Sequence, residues 1–324
     1  MGVELPMNYD IFTLRLPLPF ALDHVNVYAI GRPREWYLID AGLNTPEARS
    51  AWQHFLQEHQ IHPGHVKGIL ITHHHPDHYG AAGWLQELCQ TRVYMSAEDI
   101  RGARLAWHNW EQNVENIKMY YRKNGAPENV LGDLESNFSR LIPLMEPFPE
   151  VEAVAHGDLL TTTPFALRVI QTAGHSDGHI GLFEPEAGTL FSGDHLLPDI
   201  TTNIGLWAET ASVDPLGDYL HSLDAISDLD IQRVYPAHGA AFSHPHHRIM
   251  EMLHHHRQRL LEIQKYSRDC VTAYRISIDV FGPDLSPFES RLALAETLSH
   301  LNYLEYRSEV RSYDTGNLIV YDRH

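Results

Sequence analysis

Thr72-His73-His74-His75-Pro76-Asp77-His78-Tyr79-Gly80 is the stretch of this 324-residue chain that concentrates groups able to do chemistry. The pattern His73-x-His75-x-Asp77-His78 puts three imidazoles and a carboxylate within six residues. These are borderline nitrogen and oxygen donors suited to zinc or a similar divalent first-row ion. Four such ligands in so short a span cannot all face one ion. In an extended stretch His73 and His75 point to the same side, while Asp77 and His78, beyond the Pro76 turn, must reach a neighbouring position. The spacing predicts two adjacent metals. Neither is four-coordinate without further histidines and a bridging carboxylate from distant strand ends. With 24 histidines in the chain, a solvated cluster is the competing explanation. A β-branched strand pattern, Val66 to Ile71, delivers this one, and Pro76 and Gly80 shape its turn into a helix, which favours function.

The elements that must hold this loop read as an α/β layered domain. Ile11 to Phe20, His24 to Ile30 and Glu35 to Ala41 form a strand meander, broken by Pro19, Asp23 and Gly31-Arg32-Pro33. Thr45-Pro46-Glu47 carries an N-cap, a proline at the first helical position and an early acid, and opens a helix to about His59. Strand and helix then alternate: Val66 to Thr72, His78 to Gln90, Arg92 to Met95. A helical insert follows over about 96–147, rich in aromatics that include Trp107 and Trp110 and broken at Asn124-Gly125-Ala126-Pro127. Its apolar spacing fits packing, and its position fits a lid over the loop. Strands return at Asp158 to Thr162, Phe165 to Thr172, His179 to Glu184 and Thr189 to Ser192. A helix over Pro215 to Asp228 precedes a last strand, Arg233 to Gly239, which delivers His238 at its end. Three more candidate ligands, His175, Asp194 and His238, sit where strands stop, the place where α/β folds put chemistry.

The division predicted is a catalytic domain over 1–245 and a small one over 246–324. The second reads as three helices (His246 to Arg268, Thr272 to Phe281, Pro287 to Tyr306) and a hairpin turning at Asp314 to Asn317, a winged-helix-like order. His254-His255-His256 lies within the first of these helices and reads as a surface face. Ala293, Leu294, Leu298, Leu301 and Leu304 form an apolar stripe that serves either a homodimer contact or the small domain's own core.

A 43% hydrophobic composition supplies an ordinary core. The net charge of -18 disfavours nucleic acid and anionic membrane as partners. Met1 to Asp10 has no basic-then-apolar leader pattern, and no apolar run approaches a membrane span, so the chain reads as cytoplasmic. Cys89 and Cys270, far apart, fit reduced thiols.

The order His73-x-His75-x-Asp77-His78, His175, Asp194, His238 resembles the metallo-β-lactamase superfamily of metallohydrolases, including glyoxalase II-like enzymes, over about Ile11 to Gly239. The resemblance implies an αββα sandwich. The helical tail is similar to the winged-helix-like domain of the lactamase-beta-like branch, which includes an endoribonuclease and many bacterial hydrolases. It further implies that His73, His75 and His175 hold one metal and Asp77, His78 and His238 the other, with Asp194 bridging. Zinc is the first expectation, and iron or manganese suits the same donors. Two cations sharing a water would lower its pKa enough to supply hydroxide near neutral pH, with Asp77 orienting it. Asp40 and His179 are expected behind the ligands, fixing ring tautomers and turn geometry, with a purely structural Asp-Ala-Gly turn the alternative for Asp40. His195 either protonates a leaving group or hydrogen-bonds beneath the site. An aspartate at 194, where zinc β-lactamases carry cysteine, disfavours β-lactam hydrolysis. The expected activity is hydrolysis of an ester, thioester or lactone of a small or medium molecule. Metal-dependent cleavage of single-stranded RNA is the alternative. Thr201, Thr202, Asn203 and Trp207 line the same pocket or form an ordinary loop.

Overall fold

The computed structural model describes residues 8–19, 22–161 and 165–323. The strand ends expected at Phe20 and Thr162, and most of the Met1 to Asp10 segment, lie outside them. Two sheets face each other. The first runs in sequence order through β1 (Asp10–Pro17), β2 (His24–Arg32), β3 (Glu35–Ile39), β4 (Val66–Leu70), β5 (Val93–Ser96) and β6 (Val151–Val154). Its first three strands are the expected antiparallel meander, and the rest pair in parallel. The second contains β7 (Leu159–Thr161), β8 (Ala166–Gln171), β9 (Ile180–Glu184), β10 (Thr189–Gly193) and β11 (Arg233–Pro236), with β11 at one edge beside β10 and parallel to it.

Period-two alternation sorts the side chains between layers. Ile30, Ile39 and Leu70 meet Leu167, Val169, Leu182 and Phe191 in the layer between the sheets. Their neighbours Ala29, Leu38 and Ile69 turn outward onto α1 (Pro46–Glu58), through Trp52, Phe55 and Leu56. Ile170, Phe183 and Leu190 do the same on the other face against α8 (Pro215–Ser227), through Leu216, Tyr219 and Leu223. Helices cover both outer faces, as the alternation predicts.

The helix expected over His78 to Gln90 is instead two, α2 (Pro76–Tyr79) and α3 (Ala82–Cys89). The break has a local cause at Gly80. A Cβ there would stand 2.6 Å from the Pro76 carbonyl oxygen and 2.9 Å from that of Gly42. Only glycine lets the turn after β3 come this close, and the Ala81 amide donates to the Gly42 carbonyl at 2.7 Å. Asp77 and His78 are thereby held against the end of β3.

The insert comprises α4 (Ala97–Ala103), a widened helical turn at Arg104–His108, α5 (Trp110–Lys123), α6 (Glu128–Leu131) and α7 (Leu134–Leu141). It returns through β6, whose short, half-exposed Val-Glu-Ala-Val carries too weak a pattern to announce a strand. The tail runs α9 (Pro245–Tyr266), β12 (Val271–Thr272), α10 (Ala273–Phe281), α11 (Pro287–Tyr306), β13 (Val310–Asp314) and β14 (Ile319–Arg323), its strands ordered β12-β14-β13. The apolar stripe of α11 is buried within the chain, where Leu294, Leu298 and Leu301 pack in one cluster with Val114, Ile117 and Tyr121 of α5. Insert and tail therefore share a core. One expectation fails here: His254 is exposed, but His256 is fully buried, its Nδ1 3.2 Å from Nε2 of His300 on α11. Helix α9 packs against both α8 and α11, so a residue two positions from a surface one faces inward. Among the described residues no helix is long and apolar enough to cross a membrane. Both cysteines are free, Cys89 buried and Cys270 exposed.

Candidate metal centre

All seven expected donors converge at one end of the sandwich. His73 and His75 lie on the loop leaving β4, Asp77 and His78 on α2, and His175, Asp194 and His238 just beyond β8, β10 and β11. The donor atoms fall into overlapping groups, each within 4.8 Å: His73, His75 and His175; His73, His78 and Asp194; Asp77, His78 and His238. His73 Nε2 is 2.9 Å from His75 Nδ1. Asp194 stands between the groups. Its Oδ2 is 3.4 Å from His175 Nε2, and its Oδ1 is 3.5 Å from His78 Nε2 and 3.4 Å from His238 Nε2. Asp77 Oδ2 lies 3.5 Å from His238 Nε2 and 3.6 Å from His78 Nε2.

The far sides of three of the rings are pinned. Asp40, a non-glycine residue at φ 59°, accepts from His78 Nδ1 at 2.8 Å, from the Thr72 amide at 2.8 Å and from the Thr72 hydroxyl at 3.0 Å. His175 Nδ1 donates to the Asn203 carbonyl at 2.8 Å, and His238 Nδ1 to the His24 carbonyl at 2.7 Å. Such bonds fix the proton on Nδ1 and leave Nε2 free to ligate. His179 Nε2 accepts from the Asp194 amide at 3.2 Å, and the Thr202 hydroxyl donates to the Asp194 carbonyl at 2.5 Å. Asp40 and His179 thus sit behind the donors, as expected. The expected hydrogen bond of His195 beneath the site is absent among the described residues. Both of its ring nitrogens are buried without a partner among the described residues, its ring lies edge-on to Tyr219, and burial pushes its pKa down to about 3.

Charge is divided within the cluster. Burial and the surrounding rings hold His73 and His75 well below the usual imidazole range. Burial acts the same way on His78 and His238, but the carboxylates of Asp194 and Asp77 outweigh it and raise both. Conversely, burial works against the charge on Asp194, and His78 and His238 overcome it and hold the carboxyl well below its normal value. Even so, His78 Nε2, His175 Nε2, His238 Nε2 and Asp194 Oδ1 are buried with no hydrogen-bond partner among the described residues. Each such atom costs about 1–3 kcal/mol. Divalent cations would satisfy them together, and the imidazole and carboxylate donors suit zinc, iron or manganese.

Sequence reasoning did not find the carboxylate of Asp99, at the start of α4. Fully buried, it accepts from the His74 amide at 3.0 Å, from the His74 ring, and from the Ser176 hydroxyl at 2.8 Å. It ties the loops carrying His75 and His175 to one point. The available signal was Ser96-x-x-Asp99, a helix-cap spacing, and Ser96 Oγ does accept from the Asp99 amide at 3.1 Å. Trp107 is a support for the loop, its Nε1 donating to the His74 carbonyl at 2.8 Å, and Trp110 packs on the core shared with the tail.

Comparison with known proteins agrees with this geometry. The model of the metallo-beta-lactamase superfamily matches residues 21–238, a span that contains all seven donors. The Bacillus subtilis protein described as probable metallo-hydrolase YqjP is 27% identical, over 96% of this chain and 97% of its own. The atrochrysone carboxyl ACP thioesterase of Aspergillus fumigatus is 24% identical, over 78% of this chain and 64% of its own. The crystal structure of a metallo-beta-lactamase family protein from Thermus thermophilus superposes with a TM-score of 0.85 at 32% identity, covering 97% of this chain and 98% of that one. The sandwich, the converging donors and these relatives together show that the chain belongs to the metallo-beta-lactamase superfamily and is a metallo-hydrolase.

Proposed function

We propose that the chain is a dinuclear hydrolase of an ester, thioester or lactone of a small or medium molecule. His73, His75 and His175 hold one ion, Asp77, His78 and His238 the other, and Asp194 lies between them. The observation that carries this reading is Asp194 itself, whose two oxygens face different histidines at 3.4–3.5 Å, Oδ2 toward His175 and Oδ1 toward His78 and His238. When bound, two divalent ions supply Lewis-acid polarisation of the acyl oxygen and a water acidic enough to attack near neutral pH. The chain's own residues provide order. Asp40 and the Asn203 and His24 carbonyls keep the ring nitrogens aimed inward, and Asp77 would orient the attacking water. The thioesterase among the relatives supports an acyl substrate. A nuclease needs a basic channel, but Arg259 pairs with Glu262 and Glu296, and Arg275 with Asp279.

Elemental analysis combined with thioester, lactone, aryl ester and bis-aryl phosphodiester substrates tests the proposal. The expected result is two metals per chain, acyl hydrolysis, and loss of both metal and activity in Asp194→Ala. Activity confined to the phosphodiester would overturn the substrate class, and one metal at saturation would overturn the dinuclear site.

A further inference from the structure

We infer that Glu296, on α11 of the tail, is a positioning residue for His175, so that the C-terminal region forms part of the metal centre's frame. The inference rests on His175 being a ligand. The ring of His175 is oriented by one bond, from Nδ1 to the Asn203 carbonyl at 2.8 Å. That carbonyl belongs to the irregular segment between β10 and α8, and no helix or strand fixes its direction. The Thr202 hydroxyl ties the residue before it to the Asp194 carbonyl, and α11 holds Asn203 itself. Asn203 Nδ2 donates to Glu296 Oε2 at 3.2 Å, and three residues on, the Leu206 amide donates to the Ala295 carbonyl at 2.9 Å. Two adjacent residues of one helix thus hold both ends of the segment that presents the carbonyl.

Glu296 is itself held. The Arg259 guanidinium on α9 lies 3.3 Å from its Oε1, and Arg259 is kept in place by Glu262 at 3.3 Å and by the Phe281 ring 4.2 Å beneath it. One carboxylate oxygen faces α9 and the other faces Asn203. A largely buried ion pair is a weak stabiliser because desolvation offsets its attraction. As a rigid acceptor it does what a nonpolar residue cannot, which is to set the direction of the Asn203 side chain and with it the peptide behind His175. Ligand-orienting partners of this kind are worth about 10–100-fold in metal affinity.

The test compares the full-length wild type with Glu296→Ala, Glu296→Gln, Asn203→Ala and His175→Ala. Zinc affinity is read by competition with a chromophoric chelator, and ligand geometry by the visible absorption bands of the cobalt-substituted protein. Glu296→Ala is expected to weaken one of the two ions by about 10–100-fold and to shift the cobalt bands. Asn203→Ala, which keeps its main-chain carbonyl, is expected to do the same, and the double variant no more than either. Glu296→Gln, which still offers an oxygen to Asn203, should retain most of the native affinity. Losses that multiply in the double variant, or unchanged affinity and spectrum in Asn203→Ala, would overturn the inference even if Glu296→Ala fails to fold. If His175→Ala loses an ion while the other variants lose none, this inference alone fails. If His175→Ala also keeps both ions, the ligand reading fails with it.

Discussion

Replacing Asp99 with alanine removes the acceptor for three buried donors at once: the His74 amide, the His74 ring and the Ser176 hydroxyl. Their neighbours are His73, His75 and His175, so the perturbation acts on stability and on the metal centre together. Stripping the carboxylate from its buried pair with His74 costs about 3–5 kcal/mol and stranding the Ser176 hydroxyl about 1–3 kcal/mol more, so Asp99→Ala should lose about 4–8 kcal/mol in all. Asp99→Asn keeps an oxygen for His74 and lets the Ser176 hydroxyl turn about, losing mainly the charge assistance, about 1–2 kcal/mol. Against a total stability of about 5–15 kcal/mol, the first is severe and the second is moderate. Metal affinity should fall by about 10–100-fold in the alanine variant, as for other residues that orient ligands. Urea unfolding of the metal-free proteins gives the stability difference, and chelator competition gives the affinity. An alanine variant within about 1 kcal/mol of wild type, a difference typical of any single substitution, and with unchanged affinity would refute the clamp.

Three further outcomes are expected from the same structure. Burial depresses His256 to about 2 and His300 to about 3, so below the ordinary imidazole value of 6.5 the unfolded chain takes up protons that the folded chain refuses. Their contribution is full above about pH 6.5 and declines as pH falls, by about 1.4 kcal/mol per unit for each ring; urea titrations at several pH values should therefore show a shallower decline in His256→Gln, and an equal slope would sink the account. In Gly178→Ala the new Cβ would stand 2.2 Å from Ser96 Oγ and 2.6 Å from Glu98 Cβ, so it should cost about 1–3 kcal/mol and loosen metal binding. Gly132→Ala, whose nearest contact is 3.3 Å, is the control and should stay within about 0.5 kcal/mol of wild type. Chelation should lower the urea midpoint, because an ion present at a thousand times its dissociation constant contributes about 4 kcal/mol, and zinc should restore it; a midpoint indifferent to chelator would count against a folded-state metal site.

The residues that the fold brings together at this site were legible because metal ligation would demand particular atoms, and the α/β pattern says which strand ends would carry them. His73 to His78 announce themselves by spacing, and His175, Asp194 and His238 by standing after glycine- or proline-marked strand ends. The residues that orient them were harder to read. His175 and His238 bond to main-chain carbonyls of Asn203 and His24, and a carbonyl has no residue type to recognise. Asp99 and Glu296 reach their partners across 77 and 93 residues, so neither pairing leaves a local mark. The split at Gly80 was hidden for a similar reason, since the glycine answers to the Gly42 carbonyl, which local periodicity cannot see.

These pairings change what the insert and the tail are for. Both read in sequence as additions to a sandwich that already carries every donor. In the fold each sends one carboxylate back to the donor loops, buried Asp99 from the insert and half-buried Glu296 from the tail, and the two additions are joined through Val114, Ile117, Leu294 and Leu298. Packed cores transmit displacement because they have little free volume to absorb it. A change in the seam between insert and tail therefore moves both carboxylates, and through Ser176 and Asn203 it reaches the two sides of His175. Substitutions in that seam, far from any donor, should alter metal affinity more than equally disruptive ones under α1, whose residues lie outside that cluster.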